Sequence, residues 1–170
     1  MQVLLSTSQL SLTIRRLAAQ LTENYSDLAG IYFIGIQPRG SRFAEKLIEQ
    51  VRSLYPQHPV NFGLLDITFY RDDVRNELHK PSKTNMPFSI EGKKVILIDD
   101  VLYTGRTIRA ALDALQDFGR PASVELCVLV NRHFNRELPI QPDYYGKSID
   151  TRTSEKVKVN WESNEVQIYE

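Results

Sequence analysis

Apolar residues along the chain follow two alternating patterns, one typical of helices and the other of buried strands. Apolar positions spaced three or four residues apart predict helices over residues 9–24, 43–54 and 108–118. Ser41 is positioned to cap the second of these helices. Short continuous apolar runs predict buried strands at residues 31–36, 95–98 and 124–130.

The alternation of strands and helices with short connections predicts an α/β fold, with a mainly parallel twisted sheet flanked by helices. Residues 60–70 look extended, and two short strands at 156–161 and 166–169 are expected at one end of the sheet. The polar stretch 71–92 contains prolines and a glycine, which indicates an excursion or lid rather than core. Residues 1–170 show no internal repeat or linker, so we expect a single domain.

Composition narrows the class of protein. Lys and Arg number 21 and Asp and Glu number 21, so the chain has no net charge with which to bind polyanions as a whole, although a local basic face remains possible. No apolar run approaches the roughly 20 residues of a membrane span, and no secretory signal is visible. Cys127 is the single cysteine and lies in an apolar run, which predicts a buried thiol and fits a cytoplasmic protein.

Candidate chemistry is concentrated between Val95 and Thr107, where a buried strand runs into two adjacent carboxylates, Asp99 and Asp100. Ligands of open α/β sheets bind beyond the carboxyl ends of the strands, which is where these carboxylates are expected. The loop from Tyr103 to Thr107 then enters a helix. Unpaired N–H groups and the helix dipole at such a point favour a phosphate.

The neighbouring residue types extend this argument. Gly105 lets the backbone approach a ligand closely, and Thr104 and Thr107 add hydroxyl donors. Asp99 and Asp100 can accept hydrogen bonds from sugar hydroxyls, directly or through a hydrated Mg²⁺. The segment therefore fits a ligand with a diol at one end and a monophosphate at the other, such as ribose 5-phosphate.

Other sites also place carboxylates at a strand end. Phosphoacceptor domains and metal hydrolases do so, and in the plainest interpretation the threonines are helix caps and the carboxylates a solvated edge. The segment is neither a Gly-x4-Gly-Lys phosphate loop nor a Gly-x-Gly-x-x-Gly dinucleotide turn.

The stretch Val95–Thr107 resembles the PRPP-binding signature of type I phosphoribosyltransferases, where PRPP is 5-phosphoribosyl-1-pyrophosphate. A narrower resemblance, from about residue 10 to 169, is to the PyrR-type pyrimidine operon attenuators, which are bifunctional uracil phosphoribosyltransferases. Four stretches carry it: Gly35–Gly40 (GIQPRG), Asp66–Asp73 (DITFYRDD), Asp100–Thr107 (DVLYTGRT) and Arg136–Ile140 (RELPI).

The resemblance implies roles for the residues of these stretches. Asp99 and Asp100 would hold the ribose hydroxyls, with Mg²⁺ bound through the ligand or water, and together with Arg39 they form the implied catalytic set. The implied substrate-binding residues are Gln37, Pro38, Arg39, Gly40, Asp99, Asp100, Val101, Leu102, Tyr103, Thr104, Gly105, Arg106 and Thr107. Pro38 departs from the family pattern, because it removes one N–H that could bind pyrophosphate.

The resemblance also implies a flexible loop over about 66–92, which closes on the reacting centre and excludes water. Arg71, Asp72 and Asp73 lie where it begins, and the alternative is a merely mobile surface loop. A hood of about 131–150 plus the N-terminal segment would supply the base pocket. His133 in the hood is either a proton acceptor or a surface residue that faces RNA.

The implied reaction converts uracil and PRPP to uridine 5′-monophosphate (UMP) and pyrophosphate. The implied second function is binding of pyrimidine operon mRNA under the control of UMP or UTP. The candidate RNA-binding residues are Arg15, Arg16, Arg132, His133, Arg136 and Lys147, although nearby acidic residues offset much of their charge. The alternative is a salvage enzyme for another base, such as hypoxanthine or guanine, without RNA binding. In either case we expect a homodimer or larger oligomer.

Overall fold

The computed structural model describes residues 1–72 and 83–170, which form three α-helices and eight strands. The helices are α1 (Thr7–Asn24), α2 (Gly40–Leu54) and α3 (Arg106–Leu115). The strands are β1 (Gln2–Leu5), β2 (Ile31–Gln37), β3 (Asn61–Asp66), β4 (Lys94–Leu102), β5 (Ser123–Arg132), β6 (Tyr144–Ile149), β7 (Lys156–Asn160) and β8 (Glu165–Tyr169). No helix in the described part of the chain is both long and apolar enough to span a bilayer.

The main sheet has five parallel strands in the order β3-β2-β4-β5-β6. Side chains of its central strands alternate between two cores: Ile96 and Ile98 pack on the side of α1 and α2, whereas Val95 and Leu97 pack on the side of α3. Burial on both faces explains why these strands appear in the sequence as continuous apolar runs. The predicted fold class, a parallel sheet flanked by helices, is confirmed.

The helix starts differ in how they are capped. Ser6 and Gln9 form a reciprocal capping box at the start of α1. Ser41, by contrast, is not the cap that we expected for α2. The helix begins one residue earlier, at Gly40, and the Ser41 hydroxyl donates instead to the carbonyl of Pro38 at 2.8 Å.

A second, antiparallel sheet joins the two ends of the described chain in the order β1-β8-β7. The strands expected over 156–161 and 166–169 therefore exist, but they belong to this sheet rather than to one end of the main sheet. Within the stretch 131–150 assigned to the hood, residues 131–132 end β5 and residues 144–149 form β6, and the hood itself stays a prediction. This leaves residues 133–143 as the connection between β5 and β6.

Both edges of the main sheet are partly covered. Leu64 in β3 exchanges two backbone hydrogen bonds with Asn85, each 2.8 Å long. At the other edge, a guanidinium nitrogen of Arg16 donates to the carbonyl of Gly146 in β6 at 2.5 Å. Ile90 is fully buried, so part of the stretch 71–92 contributes to the core, contrary to the expected excursion. The contacts of Asn85 with β3 and of Arg16 with β6 leave fewer backbone groups at these edges free to pair with another chain.

Candidate active site

Two loops meet at the carboxyl ends of the neighbouring strands β2 and β4. The strands pair in register with Gly35 beside Ile98, so the residues after Gly35 lie next to those after Ile98. The loops are in contact: a Cβ atom on Gly40 would stand 2.7 Å from Oδ1 of Asp99 and 2.9 Å from the Ile98 carbonyl oxygen. The structure thus brings together the two segments that the sequence assigned to pyrophosphate and to the ribose hydroxyls.

The two carboxylates are buried within the end of β4. Asp99 is 4% exposed and Asp100 is 9% exposed. Burial, followed by the neighbouring charge of Asp100, raises the pKa of Asp99, and burial likewise raises the pKa of Asp100. Arg39 opposes the rise in the pKa of both carboxyls, and Arg71 also lowers the pKa of Asp99. A bound cation would favour the ionised carboxylates in the same way.

Each carboxylate is oriented by the backbone. Oδ1 of Asp99 accepts the N–H of Asp100 at 2.9 Å, and Oδ1 of Asp100 accepts the N–H of Val101 at 2.7 Å. These short local bonds hold the side chains at the strand end. The second carboxylate oxygens can therefore take hydrogen bonds from a ligand.

The loop Tyr103–Thr107 connects the carboxylates to α3. Gly105 precedes the helix with φ of 95°, a left-handed conformation that favours glycine. Thr104 accepts the N–H of Arg106 through its hydroxyl oxygen at 3.3 Å. The loop therefore presents the N-terminal turn of α3, as expected for a phosphate-binding segment. Val101 and Leu102 are the last residues of β4 and connect the sheet directly to this loop.

The opposing loop, Gln37–Gly40, ends β2 and begins α2. The Gln37–Pro38 peptide bond is cis, and the Arg39 side chain is exposed. Oε1 of Gln37 is buried and accepts no hydrogen bond from any residue of 1–72 or 83–170. A ligand hydroxyl can donate to such an acceptor, whereas a pyrophosphate group, which has only acceptors, cannot.

Asp72, at the start of the predicted flexible loop, faces α3, the helix that follows the loop Tyr103–Thr107. The carboxylate of Asp72 lies 3.0 Å from Nη2 of Arg109 and 3.4 Å from Nη1 of Arg106. Arg71 acts electrostatically on Asp99, which places it on the side of the carboxylates. Asp73, also assigned to the loop, and residues 74–82 lie outside the described part of the chain.

The connection 133–143 forms a cavity of about 140 Å³ beside the phosphate loop. Its lining includes His133, Phe134, Arg136 and Ile140. Ile140 also packs next to Gly105, so the cavity adjoins the loop. Phe134 is 73% exposed, and its ring meets that of His133 edge-on at 5.0 Å. Sequence reasoning did not single out Phe134, because an isolated aromatic residue in a polar connection carries no pattern.

Two of the arginines assigned to RNA face inward. Arg132 is 4% exposed, and its guanidinium stacks 3.8 Å above the ring of Tyr103. Its nitrogens donate to Oγ1 of Thr151 at 2.7 Å and to backbone carbonyls of residues 152 and 155. Arg136 donates to the carbonyl of Tyr103 and to Oδ1 of Asn131. The burial of Arg132 contradicts an exposed RNA contact for that side chain.

The remaining basic candidates lie closer to the surface. Arg15 and Arg16 are exposed on α1, and Arg16 contacts β6, the strand that carries Lys147. Lys147 is half-buried, with Nζ 3.4 Å from the carbonyl of Leu4. His133 is exposed and is the first residue of the connection after β5. RNA contact by these four residues stays a prediction.

The fold has close counterparts among solved structures. A hypoxanthine phosphoribosyltransferase of Staphylococcus aureus is similar with a TM-score of 0.69 and 26% identity, covering 88% of this chain and 78% of its own. The hypoxanthine phosphoribosyltransferase of Trypanosoma cruzi superposes with a TM-score of 0.73 over 99% of this chain and 95% of its own. At 16% identity the latter likeness shows the fold alone.

Curated relatives are more similar in sequence. The bifunctional protein PyrR of a Picosynechococcus species is 49% identical over 157 residues, which cover 92% of this chain and 88% of the relative. The PyrR protein of Haemophilus ducreyi is 47% identical over 95% of this chain and 90% of its own length. The family model of the phosphoribosyl transferase domain matches residues 3–166. The chain therefore belongs to the phosphoribosyltransferase domain family and, within it, to the bifunctional PyrR proteins.

Proposed function

We propose that this chain is a uracil phosphoribosyltransferase, which forms UMP and pyrophosphate from uracil and PRPP, and that it also regulates pyrimidine genes by binding RNA. The observation that carries the enzymatic part is the contact between Gly40 and Asp99. It joins a loop with an exposed cation, Arg39, to a buried carboxylate pair and an adjoining helix N-terminus. PRPP has a matching order of pyrophosphate, ribose diol and 5-phosphate.

The choice of base follows from the family. Relatives that are 47–49% identical are bifunctional PyrR proteins, whereas the hypoxanthine enzymes compared above are only 16–26% identical. Membership of the PyrR group therefore supports uracil over hypoxanthine or guanine. The cavity lined by His133 and Phe134 is the proposed base site, since it adjoins Gly105 and offers an aromatic ring for stacking.

The proposed mechanism is displacement at the anomeric carbon. The bond from that carbon to pyrophosphate breaks while a ring nitrogen of uracil forms the new bond, and the proton of that nitrogen passes to the departing pyrophosphate or to solvent. The chain holds the two reactants in line, which lowers the entropic part of the barrier. Arg39 neutralises charge on the departing pyrophosphate, while Asp99 and Asp100 hold the ribose hydroxyls. Arg71 and Asp72 lie at the base of the segment that would exclude water from the site.

Phosphoribosyltransferases generally use Mg²⁺ with PRPP, and the donor set here fits that ion. Two neighbouring carboxylates, Asp99 and Asp100, are the number that Mg²⁺ usually takes from protein, with phosphate oxygens and water as its other ligands. The described residues contain no larger cluster of acidic, histidine or cysteine side chains that could enclose a metal. When bound, Mg²⁺ would supply positive charge that stabilises the pyrophosphate.

The regulatory part rests on the PyrR family and on the accessible cations. Arg15 and Arg16 are both exposed on α1, and Arg16 contacts β6, the strand that carries Lys147, so these three residues define one candidate face. We propose that pyrimidine operon mRNA binds this face and that UMP or UTP acts as effector. A cytoplasmic location and assembly as a homodimer or larger oligomer complete the proposal, and light scattering of the purified protein tests the assembly.

The test of the enzymatic proposal is a panel of nucleobases. Purified protein is incubated with PRPP, Mg²⁺ and uracil, cytosine, hypoxanthine or guanine, and nucleotide products are separated by chromatography. We expect UMP as the main product. Faster formation of inosine or guanosine monophosphate would establish a salvage enzyme for a purine instead. The Asp100→Asn variant serves as the control for contaminating activity.

A further inference from the structure

The loop Tyr103–Thr107, the proposed site of the 5-phosphate, is hydrogen-bonded to residues 136–138. These residues belong to the connection after β5. The carbonyl of Thr104 accepts two backbone N–H groups, from Glu137 at 2.9 Å and from Leu138 at 3.2 Å. One residue earlier, the carbonyl of Tyr103 accepts a guanidinium N–H of Arg136. Two successive carbonyls of the loop are thus turned toward this segment.

These hydrogen bonds fix the direction of two N–H groups in the loop. The carbonyl of Thr104 and the N–H of Gly105 belong to one planar trans peptide unit, so fixing the carbonyl fixes the N–H in the opposite direction. The same holds for the carbonyl of Tyr103 and the N–H of Thr104. Neither N–H donates to a group within residues 1–72 or 83–170. Both are therefore available donors that point away from the segment 136–138.

Glu137 adds a second point of attachment. Its carboxylate lies 2.5 Å from Nε of Arg106, the first residue of α3. Its backbone and its side chain therefore hold the loop on both sides of Gly105. A Cβ atom on Gly105 would stand 3.5 Å from Cβ of Leu138, so the two segments are also in ordinary packing contact.

We propose that Glu137 is a positioning residue, which sets the direction of the loop N–H groups through Thr104 and the first turn of α3 through Arg106. This inference rests on the proposed function, because it assigns the aligned N–H groups to the 5-phosphate of PRPP and UMP. The same contacts tie the cavity of the connection 133–143 to the phosphate loop. Base site and phosphate site then form one rigid unit, and the pyrophosphate loop Gln37–Gly40 is not part of it.

The test compares ligands that have the 5-phosphate with one that lacks it. Glu137→Gln keeps the size and the backbone bonds of the residue but removes one of the two carboxylates paired with Arg106 and leaves the other, Asp72, in place. Since the ion pair is partly exposed, we expect the Kd of UMP, measured by calorimetry, to rise about threefold to fivefold. The Kd of pyrophosphate should stay within about 1.5-fold, because its site is the separate loop. Glu162→Gln, an exposed glutamate in the turn before β8, is the matched control.

A second readout does not depend on the ligand. Amide hydrogen exchange of residues 137 and 138, whose N–H groups donate to the carbonyl of Thr104, should be faster in ligand-free Glu137→Gln than in the wild type and Glu162→Gln. Unchanged exchange and an unchanged Kd of UMP would overturn the positioning role, and so would equal losses for UMP and pyrophosphate. Faster exchange in a protein that binds no UMP would retain the positioning of the loop and refute the proposed function instead.

Discussion

Gly40 is packed against Asp99 so closely that no side chain fits between them. A Cβ atom on Gly40 would lie 2.7 Å from Oδ1 and 2.9 Å from Cα of Asp99. The backbone of Asp99 lies within a central strand and cannot yield easily. The start of α2 and the end of β4 are therefore fixed relative to each other at the position where pyrophosphate and ribose would meet.

We expect Gly40→Ala to lower kcat/KM by about 100-fold, equivalent to roughly 3 kcal/mol, because the added methyl group must push the pyrophosphate loop away from Asp99. Steady-state kinetics with uracil and PRPP provide the measurement. Gly30→Ala is the matched control, since a Cβ atom there meets nothing within 4 Å. Equal kinetics of the two variants would show that the close approach has no catalytic role.

Arg39→Ala should weaken binding of PRPP and pyrophosphate by about 1.5 kcal/mol, the lower end for a charge-assisted hydrogen bond, because the side chain is exposed to water. Binding of UMP, which has no pyrophosphate, should change less. Calorimetry with the three ligands checks this, and Arg52→Ala at the far end of α2 controls for a general loss of positive charge. Equal losses for UMP and pyrophosphate would contradict the assignment.

Asp100→Asn should lower kcat strongly, by about 100-fold, while the fold stays intact. The substitution preserves the size of the side chain but removes charge that supports sugar hydroxyls or a hydrated metal. Circular dichroism checks the fold, and kinetics at saturating PRPP and Mg²⁺ measure the effect. Unchanged turnover would remove Asp100 from the site.

Asp99→Asn should stabilise the ligand-free protein, and the gain should depend on pH. Burial raises the pKa of Asp99, so the folded state binds its proton more tightly than the unfolded state does. Such a carboxyl lowers the free energy of unfolding as the pH rises past the ordinary carboxyl pKa of about 4. The reason is that the group ionises freely in the unfolded chain but must ionise while buried in the folded one. Asparagine stays neutral at every pH.

The difference in Tm between Asp99→Asn and the wild type should therefore be about 3 °C near neutral pH and should shrink as the pH falls. Thermal unfolding monitored across that range provides the measurement. Asp113→Asn on the exposed side of α3 is the control. A gain that grows toward acid pH would have the wrong sign and would refute burial as the cause.

RNA binding by the face of α1 should fall steeply with salt, because each phosphate contact releases counterions. Arg15→Gln and Lys147→Gln should weaken binding and reduce the salt dependence, whereas Arg120→Gln, an exposed residue in the connection between α3 and β5, should not. UMP should tighten binding if it acts as effector, since an effector needs a differential affinity for two states. Filter binding with the leader RNA of the organism's own pyrimidine genes tests this. No preference over a scrambled RNA at low salt would leave a plain salvage enzyme.

The central strands could be predicted from the sequence because both of their faces are buried, which produces continuous apolar runs. β6 could not, since it is an edge strand in which Tyr145 and Ser148 are exposed and the apolar pattern is interrupted. The pairing of β1 with β8 joins distant parts of the chain and has no local signal. Short edge strands of this kind are specified by tertiary contacts rather than by periodicity.

Part of the site could also be predicted from a local signal in the sequence. Asp99, Asp100 and the loop after them are contiguous, so their chemistry is visible in one stretch. The hydrogen bonds from residues 137 and 138 to the carbonyl of Thr104 use backbone N–H groups, which every residue except proline has, so no residue type reveals them. The inward orientation of Arg132 could not be anticipated either, because stacking on Tyr103 depends on the path of β5.

The neighbouring positions of β2 and β4 also affect how activity appears during refolding. The residues of Gln37–Gly40 and Asp99–Thr107 are far apart along the chain but meet through parallel pairing of these strands. Such non-local pairing must overcome a large loop-closure entropy and forms slowly compared with helices. A chain that has regained only its helices therefore lacks half of the site. Recovery of UMP synthesis after dilution from denaturant would accordingly report completion of the central pairing, which far-ultraviolet dichroism of the helices would not detect.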